Sequence, residues 1–407
     1  MSTSSALAYF FSSFPSLSMT FLQREVRDLR AQRQNVALFA NRRPKLGDFD
    51  PQDMNLYADT FYLYPIRPIR LLKANLKLIV TRPGAYKNAL HQALRLHDGF
   101  NLQRLRNLAR LFGAAVIAER LSALKINHLH VHFAFGAAGV ALLLKTLLGI
   151  TYSISIHGSD VLIPQPLIRQ KLGQARFIIS NCRFHIEHLK KEFPELGDQR
   201  FYHLPLGIDL SHPPWSSVCE VASPPPLRIL SVARFNPIKN HALLLNALAQ
   251  LKANQIVFRC RLVGEGPTRS KMMALATSLK LDRQVTFLGP LTETAVAQQM
   301  DWAHVVVLSS FSEGTPMTLI EAMAKKRAVV APDITGIPEL VVHEETGLLY
   351  PCNDQDRLIA CLQKLADNPN LIRHMGNQGH WRARGQFDIN RHTRNLITIF
   401  QQERMHD

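Results

Sequence analysis

The chain has 407 residues, of which 46% are hydrophobic and 19% charged. That balance excludes a disordered chain, and the length exceeds one ordinary domain, so two domains are expected, with three as the upper bound. The formal net charge of +17 is uneven: residues 1–210 carry 27 Lys/Arg against 14 Asp/Glu, and residues 211–407 carry 21 against 17. The first half therefore faces something anionic (a phosphorylated substrate, an acidic membrane surface or nucleic acid) or carries a solvated basic face. A bilayer span needs about 20 apolar residues; the best candidate, Phe133 to Leu144, has twelve and ends at Lys145.

In chain order, ALAYFF (6–11) reads as a strand, FSSFPSLSM as a loop, Thr20–Arg33 as a helix and NVALFA (35–40) as a second strand. That is the strand–helix–strand rhythm of a parallel sheet. Before Arg24 there is no basic residue, which argues against a secretory signal. The segment 66–77 places Arg67, Arg70, Lys73 and Lys77 on one helical face and leucines on the other. This pattern fits either a monotopic contact with anionic lipid headgroups or a basic surface helix packed on its own domain. Residues 102–125 read as helix, NHLHVHFA (127–134) as strand, 137–147 as helix, YSISIHG (152–158) as strand and RFIISN (176–181) as a short strand. His130 and His132 share a strand face by the period of two. No third ligand is spaced near them, so a metal site is not expected there. Cys182, Cys219, Cys260, Cys352 and Cys361 are scattered without zinc or disulfide spacing and read as reduced thiols of a cytosolic protein.

Residues 211–226 hold five prolines in sixteen positions and mark a domain boundary. The expected division is 1–215, 216–385 and a C-terminal helix in 386–407 that could return to the first domain. After the boundary the rhythm restarts: strands at 227–233, 258–264, 284–289, 304–310 and 328–333, with helices at 240–251, 271–281 and 317–326. The chain thus reads as α/β, two doubly wound Rossmann-like domains facing an interdomain cleft, with ligands at the carboxyl ends of the strands.

Three strand ends carry chemistry. In FSEGTP, Pro316 sits where a helix begins, its free amides and dipole favour an anion or hydroxyl, and Gly314 lets a ligand approach the backbone. Glu313 precedes this helix and Glu321 lies just over one turn inside it, so both carboxylates can serve one elongated polar ligand. In SVARFNPIKN, Arg234 and Lys239 bracket a strand–helix turn suited to phosphate oxygens. In LVGEGP, Gly264 and Gly266 mark a third, weaker signal. Each alone is more simply a strand–helix turn with surface charges; three in one domain favour a binding site. The DQD at 354–356 imitates a metal-binding triplet, but it directly precedes a helix, where capping accounts for it better.

The order R-x4-K, VGEGP, E-G-T-P-x4-E-A-M-A, TGIPELV and TGLLYP resembles the donor-binding domain of retaining GT-B glycosyltransferases of glycosyltransferase family 4 across 227–360. The opening FPSLSMTFLQRE (14–25) resembles that of exopolysaccharide and colanic-acid transferases, with Met19 where an acid is usual. Lys326 and Ala328 stand where the family has glycine and proline, and Thr335 where it often has a second glycine. The resemblance implies that Arg234 and Lys239 hold the donor diphosphate. Glu313, with the amides of Gly314, Thr315, Pro316, Met317 and Thr318, would hold the donor sugar. Glu321 would take the ribose hydroxyls, with Gly264 and Gly266 lining the donor site and Gly289 near the base. His157 of H-G-x-D would face the reaction centre, and Ser18, Thr20, His132 and Asp160 would lie on the acceptor side.

The expected activity is transfer of a hexose from a nucleoside diphosphate sugar to a lipid-linked saccharide in polysaccharide synthesis. It would proceed with no metal and no cofactor beyond that co-substrate, on the cytoplasmic face of an anionic membrane and without nucleic acid. The alternatives are a basic membrane-associated scaffold with a degenerate donor site, or another GT-B activity on nucleotide sugars.

Overall fold

The computed structural model describes residues 7–95, 102–163, 167–197, 199–219 and 224–405. Parts of the expected segments, namely residue 6, residues 220–223 and residues 406–407, lie outside the described residues. The chain divides into two compact units. One holds residues up to 181 together with 185–204; the other holds 182–184 and everything from 205 on. The proline-rich stretch therefore belongs to the second unit, as does the last helix, Ile389–Arg404.

The first unit is a seven-stranded parallel sheet: β1 (Leu7–Ser13), β2 (Val36–Arg42), β3 (Phe61–Tyr64), β4 (His128–His132), β5 (Thr151–Ile156), β6 (Ile178–Ser180) and β7 (Phe201–His203), in the order β3-β2-β1-β4-β5-β6-β7. Alternation along the strands divides its two faces. Ala8, Phe10, Leu129, Val131, Ile154 and Ile156 enter one apolar core with the helices Pro83–Arg95, Leu102–Ala123 and Gly136–Leu148. The intervening Tyr9, Phe11, His130, His132, Ser153 and Ser155 do not join that core.

The second unit is a six-stranded parallel sheet: β8 (Leu227–Val232), β9 (Phe258–Val263), β10 (Val285–Gly289), β11 (Val305–Val307), β12 (Ala328–Pro332) and β13 (Leu348–Tyr350), ordered β10-β9-β8-β11-β12-β13. Its strands are apolar on both faces, as a sheet covered by helices on both sides requires. Ile229, Val305, Val307 and Val330 enter one core, while Leu230, Val306 and Val329 enter the other. Both units are Rossmann-like. Each reverses strand order at its centre, between β1 and β4 and between β8 and β11, and such switch points open a crevice at the carboxyl ends of the strands.

Candidate active site

In the second unit, three loops leave the carboxyl ends of β8, β9 and β11. The first turns through Arg234 and a short Pro237–Lys239 helical turn into the helix His241–Ala253. The second carries Gly264 (φ +138°) and Gly266 (φ +151°). A Cβ on Gly264 would lie 2.1 Å from the Ala233 carbonyl oxygen, and one on Gly266 would lie 2.4 Å from that of Phe235. These glycines thus let the β8 and β9 loops meet main chain to main chain, fixed by Phe235 N–H donating to Glu265 O at 2.9 Å and Thr268 N–H to Phe235 O at 3.0 Å. Their contribution to the site is to set the Arg234–Lys239 turn. Gly289 (φ +75°) closes β10, where a Cβ would meet open space.

The third loop brings the charges together. Glu313 is buried, and its Oε1 accepts from Lys239 Nζ at 2.6 Å and from the Ser310 hydroxyl at 2.5 Å. The loop is tied to the β8 turn by Phe311 N–H to Ile238 O (2.8 Å) and Ser309 Oγ to Lys239 O (3.0 Å). Thr335 grips it from the other side: its hydroxyl donates to Glu313 O and lies 3.3 Å from Glu313 N. Gly336 allows the approach, since a Cβ there would lie 2.4 Å from Gly314 O. Pro316 is the cap of the helix Met317–Ala324, Thr318 Oγ1 bonds Val232 O at 3.0 Å, and Glu321 is buried one turn in. Arg234 is exposed and, among the described residues, holds no ion pair. His241, absent from the expected site, stacks under the turn on Phe235 with centroids 4.3 Å apart. Burial, with Lys239 beside it, pushes its imidazole down to about 4.

In the first unit, β5 delivers His157 into the H-G-x-D turn. Asp160 is fully buried: Oδ1 accepts from His157 N–H (3.0 Å) and Gly158 N–H (2.9 Å), and Oδ2 from Ala134 N–H (3.0 Å). Expected on the acceptor side, Asp160 instead clamps the turn that presents His157. His132, also expected there, is buried, with Nδ1 3.2 Å from His157 Nε2 and Nε2 3.5 Å from Glu25 Oε1. Both are enclosed by protein and touch His157 or its turn. Glu25, which ends the FPSLSMTFLQRE opening but is given no role there, is buried and accepts the Tyr9 hydroxyl at 2.7 Å. Its sequence signal is the closing acid of that opening, and the Thr20–Ala31 helix turns it toward the polar strand face. His130 contacts the hydroxyls of Ser153 (2.7 Å) and Ser155 (2.9 Å), and burial holds its imidazole well below the ordinary range. Phe133, beside the His157 ring, has φ +68°, an uncommon strain for an aromatic residue. Ser18 is exposed and pairs with Ser16 (3.2 Å), Met19 occupies the cap position and Thr20 opens the helix. Asp354 caps the helix Gln355–Asp367 through Arg357 N–H at 2.9 Å.

Comparison with known proteins places the chain among similar sequences and folds. Residues 221–381 match the family described as Glycosyl transferases group 1. The amylovoran biosynthesis glycosyltransferase AmsK of Erwinia amylovora is 25% identical over 88% of this chain and 90% of its own. The N-acetylgalactosamine-N,N'-diacetylbacillosaminyl-diphospho-undecaprenol 4-alpha-N-acetylgalactosaminyltransferase of Campylobacter jejuni is 28% identical over 55% of this chain and 60% of its own. Among solved structures, sucrose-phosphate synthase of Thermosynechococcus elongatus superposes with a TM-score of 0.74 at 17% identity, covering 99% and 100% of the two chains. Anabaena HepE, solved with UDP and glucose, gives 0.69 at 15% identity, covering 98% and 100%. The fold is that of the GT-B glycosyltransferases. The chain is a glycosyltransferase, and its second unit carries the group 1 segment.

Proposed function

We propose that this enzyme transfers a hexose from a nucleoside diphosphate sugar to a lipid-linked glycan in polysaccharide synthesis, with retention of configuration and without a metal. The observation that carries the reading is the Lys239–Glu313 pair, 2.6 Å apart among three loops at the carboxyl ends of β8, β9 and β11. A cation, a buried carboxylate and a helix N-terminus together suit a ligand that is anionic at its centre and hydroxylated at its ends. Arg234 and Lys239 would take the diphosphate and stabilise the leaving group. Glu313 with the Gly314–Thr318 amides would take the sugar, and Glu321 the ribose. His157 would serve the reacting sugar by hydrogen bonding. A UDP donor is favoured by the UDP and glucose in the HepE structure, and a lipid-linked acceptor by the diphospho-undecaprenol in the C. jejuni relative's name. The basic first unit suits a diphosphate-bearing lipid at an anionic cytoplasmic membrane face.

The test is donor binding and slow hydrolysis over UDP-, GDP-, ADP- and dTDP-sugars with EDTA present, in wild type and Glu321→Ala. One nucleotide should bind and turn over in wild type, with affinity lost in the variant. Absence of binding by every donor would leave the basic scaffold as the better reading.

A further inference from the structure

The Pro68–Thr81 helix turns an apolar stripe away from the core that holds it. Ala74 and Leu78 enter the core, and Asn75 fixes the helix, donating to Leu71 O (2.7 Å) and Phe112 O (3.1 Å) and accepting from the Tyr86 hydroxyl (2.9 Å). On the outer side Ile69 is 67% exposed, Leu72 59%, Leu76 50%, Ile79 43% and Val80 78%. At 3.6 residues per turn these five occupy an arc of about 100°, centred roughly 140° from the buried one. Arg70, Lys73 and Lys77 line one flank of the stripe. The sequence reading put the leucines together on the face opposite the cations; the structure divides them, with Leu71 and Leu78 inward and Leu72 and Leu76 outward.

We infer that this helix is a membrane-docking element, lying in the plane of an anionic leaflet with its five exposed apolar side chains inserted and its cations on lipid phosphates. Residues 60–97 contain seven Lys/Arg and no Asp/Glu. Glu119, 3.7 Å from Lys77, is the acid within ion-pair reach of the helix among the described residues. An antiparallel two-fold contact with a second copy would set Arg70, Lys73 and Lys77 close to their own counterparts, which repel. A phosphate surface complements both the stripe and its flank. Fourteen residues span about 21 Å as a helix, which suits lying along an interface rather than crossing it. The inference deepens the membrane part of the proposed function and rests on it for its purpose, but its test needs neither donor nor acceptor.

The full chain is floated with vesicles of phosphatidylcholine, with and without about a third phosphatidylglycerol, at low and molar salt. Wild type should bind the anionic vesicles. Arg70→Ser/Lys73→Ser/Lys77→Ser should bind about a hundredfold more weakly, from roughly fivefold per cation. Ile69→Ser/Leu72→Ser/Val80→Ser should lose at least tenfold and all salt-resistant binding. These side chains are exposed, and an unchanged melting temperature checks that the variants fold. In Leu72→Trp, anionic vesicles should shift the new tryptophan's emission to the blue, and brominated lipid should quench it. The inference is overturned if wild type does not float, or if the apolar variant floats like wild type. It is also overturned if sedimentation shows a dimer that the apolar variant abolishes, which would give the face to a second copy. Donor binding measured on the same preparations separates failure here from failure of the transferase reading.

Discussion

Replacing Lys326 by glycine should stabilise the second unit by about 0.5–1 kcal/mol, the difference between the strain relieved and the extra unfolded-chain freedom of glycine. Lys326 follows the helix Met317–Ala324 in the left-handed region, with φ +58°. Its N–H donates to Met323 O at 3.0 Å, and Arg327 N–H donates to Ala322 O at 2.9 Å. This pair of bonds closes a helix through a residue that is usually glycine. A left-handed backbone costs an L-residue roughly 1–2 kcal/mol, and glycine loses roughly 0.5–1 kcal/mol more freedom on folding. The turn cannot relax, because the Pro369–Gln386 helix presses on it: a Cβ on Gly376 would lie 2.2 Å from Lys326 O. The lysine side chain is exposed, so little contact is lost. For a unit of this size the melting temperature should rise by roughly 1–4 °C. Lys326→Ala keeps the strain and should not raise it, and donor affinity should stay unchanged in both, because the turn lies at the far end of the helix from Gly314. A melting temperature that does not rise in Lys326→Gly, or that rises equally in Lys326→Ala, would refute the argument.

Thr335 is the contrasting case: it too has a positive φ, +45°, but its hydroxyl ties down the Glu313 loop. Thr335→Gly should therefore weaken donor binding severalfold in a titration without lowering the melting temperature. Gly266→Ala would drive a Cβ to within 2.4 Å of Phe235 O; urea denaturation should show a loss of roughly 2–3 kcal/mol, with weaker donor affinity as the Arg234–Lys239 turn shifts. Asp160→Asn should destabilise by roughly 1–3 kcal/mol, since an amide cannot accept at both ends from the three N–H groups now satisfied. Burial lowers His185 and His241 from 6.5 to about 4, helped by His188 and Lys239 respectively. The unfolded chain then binds more protons between those values, so this stability is complete above pH 6.5 and is lost as pH falls toward 4. The loss is of order 3 kcal/mol for each histidine, and His241→Phe should remove its share of the slope in denaturation measured from pH 7 to 4.

Long strands with a clear period were legible in the sequence. LRILSV, FRCRLV and VTFLG announce β8, β9 and β10 because β-branched and apolar residues crowd segments bounded by turn residues. The three-residue strands Phe201–His203 and Leu348–Tyr350 were not, because so few positions carry no period. The edge strand Phe61–Tyr64 was hidden by its brevity and by the proline that follows it. In the second unit the glycines, acids and cations of the candidate site could be picked out, since each sits at a strand end or in the first turns of the helix that follows one. What they do to each other could not. Gly264 reads as part of a weak glycine-rich signal lining the donor site, and its missing side chain makes room for Ala233 O. The Glu25–His132–His157 line joins residues from a helix, a strand and the turn that follows another strand, far apart in the chain, and the sheet register brings the two histidines together.

The strand order has a consequence for synthesis. β1 lies between β2 and β4, and its partner residues in β4 begin at Leu129, paired with Ala8. Some 120 residues must leave the ribosome before the first sheet can close its centre, which at about 5–20 residues per second takes on the order of ten seconds. Throughout that interval one edge of β1, with Tyr9 and Phe10 in its register, has no native neighbour. The equivalent junction in the second sheet joins Ile229 to Val305, so its wait is shorter. The nascent chain is therefore most exposed to misassociation while its first unit is half made, and a chaperone that shields amino-terminal segments should matter more for yield than one acting after release.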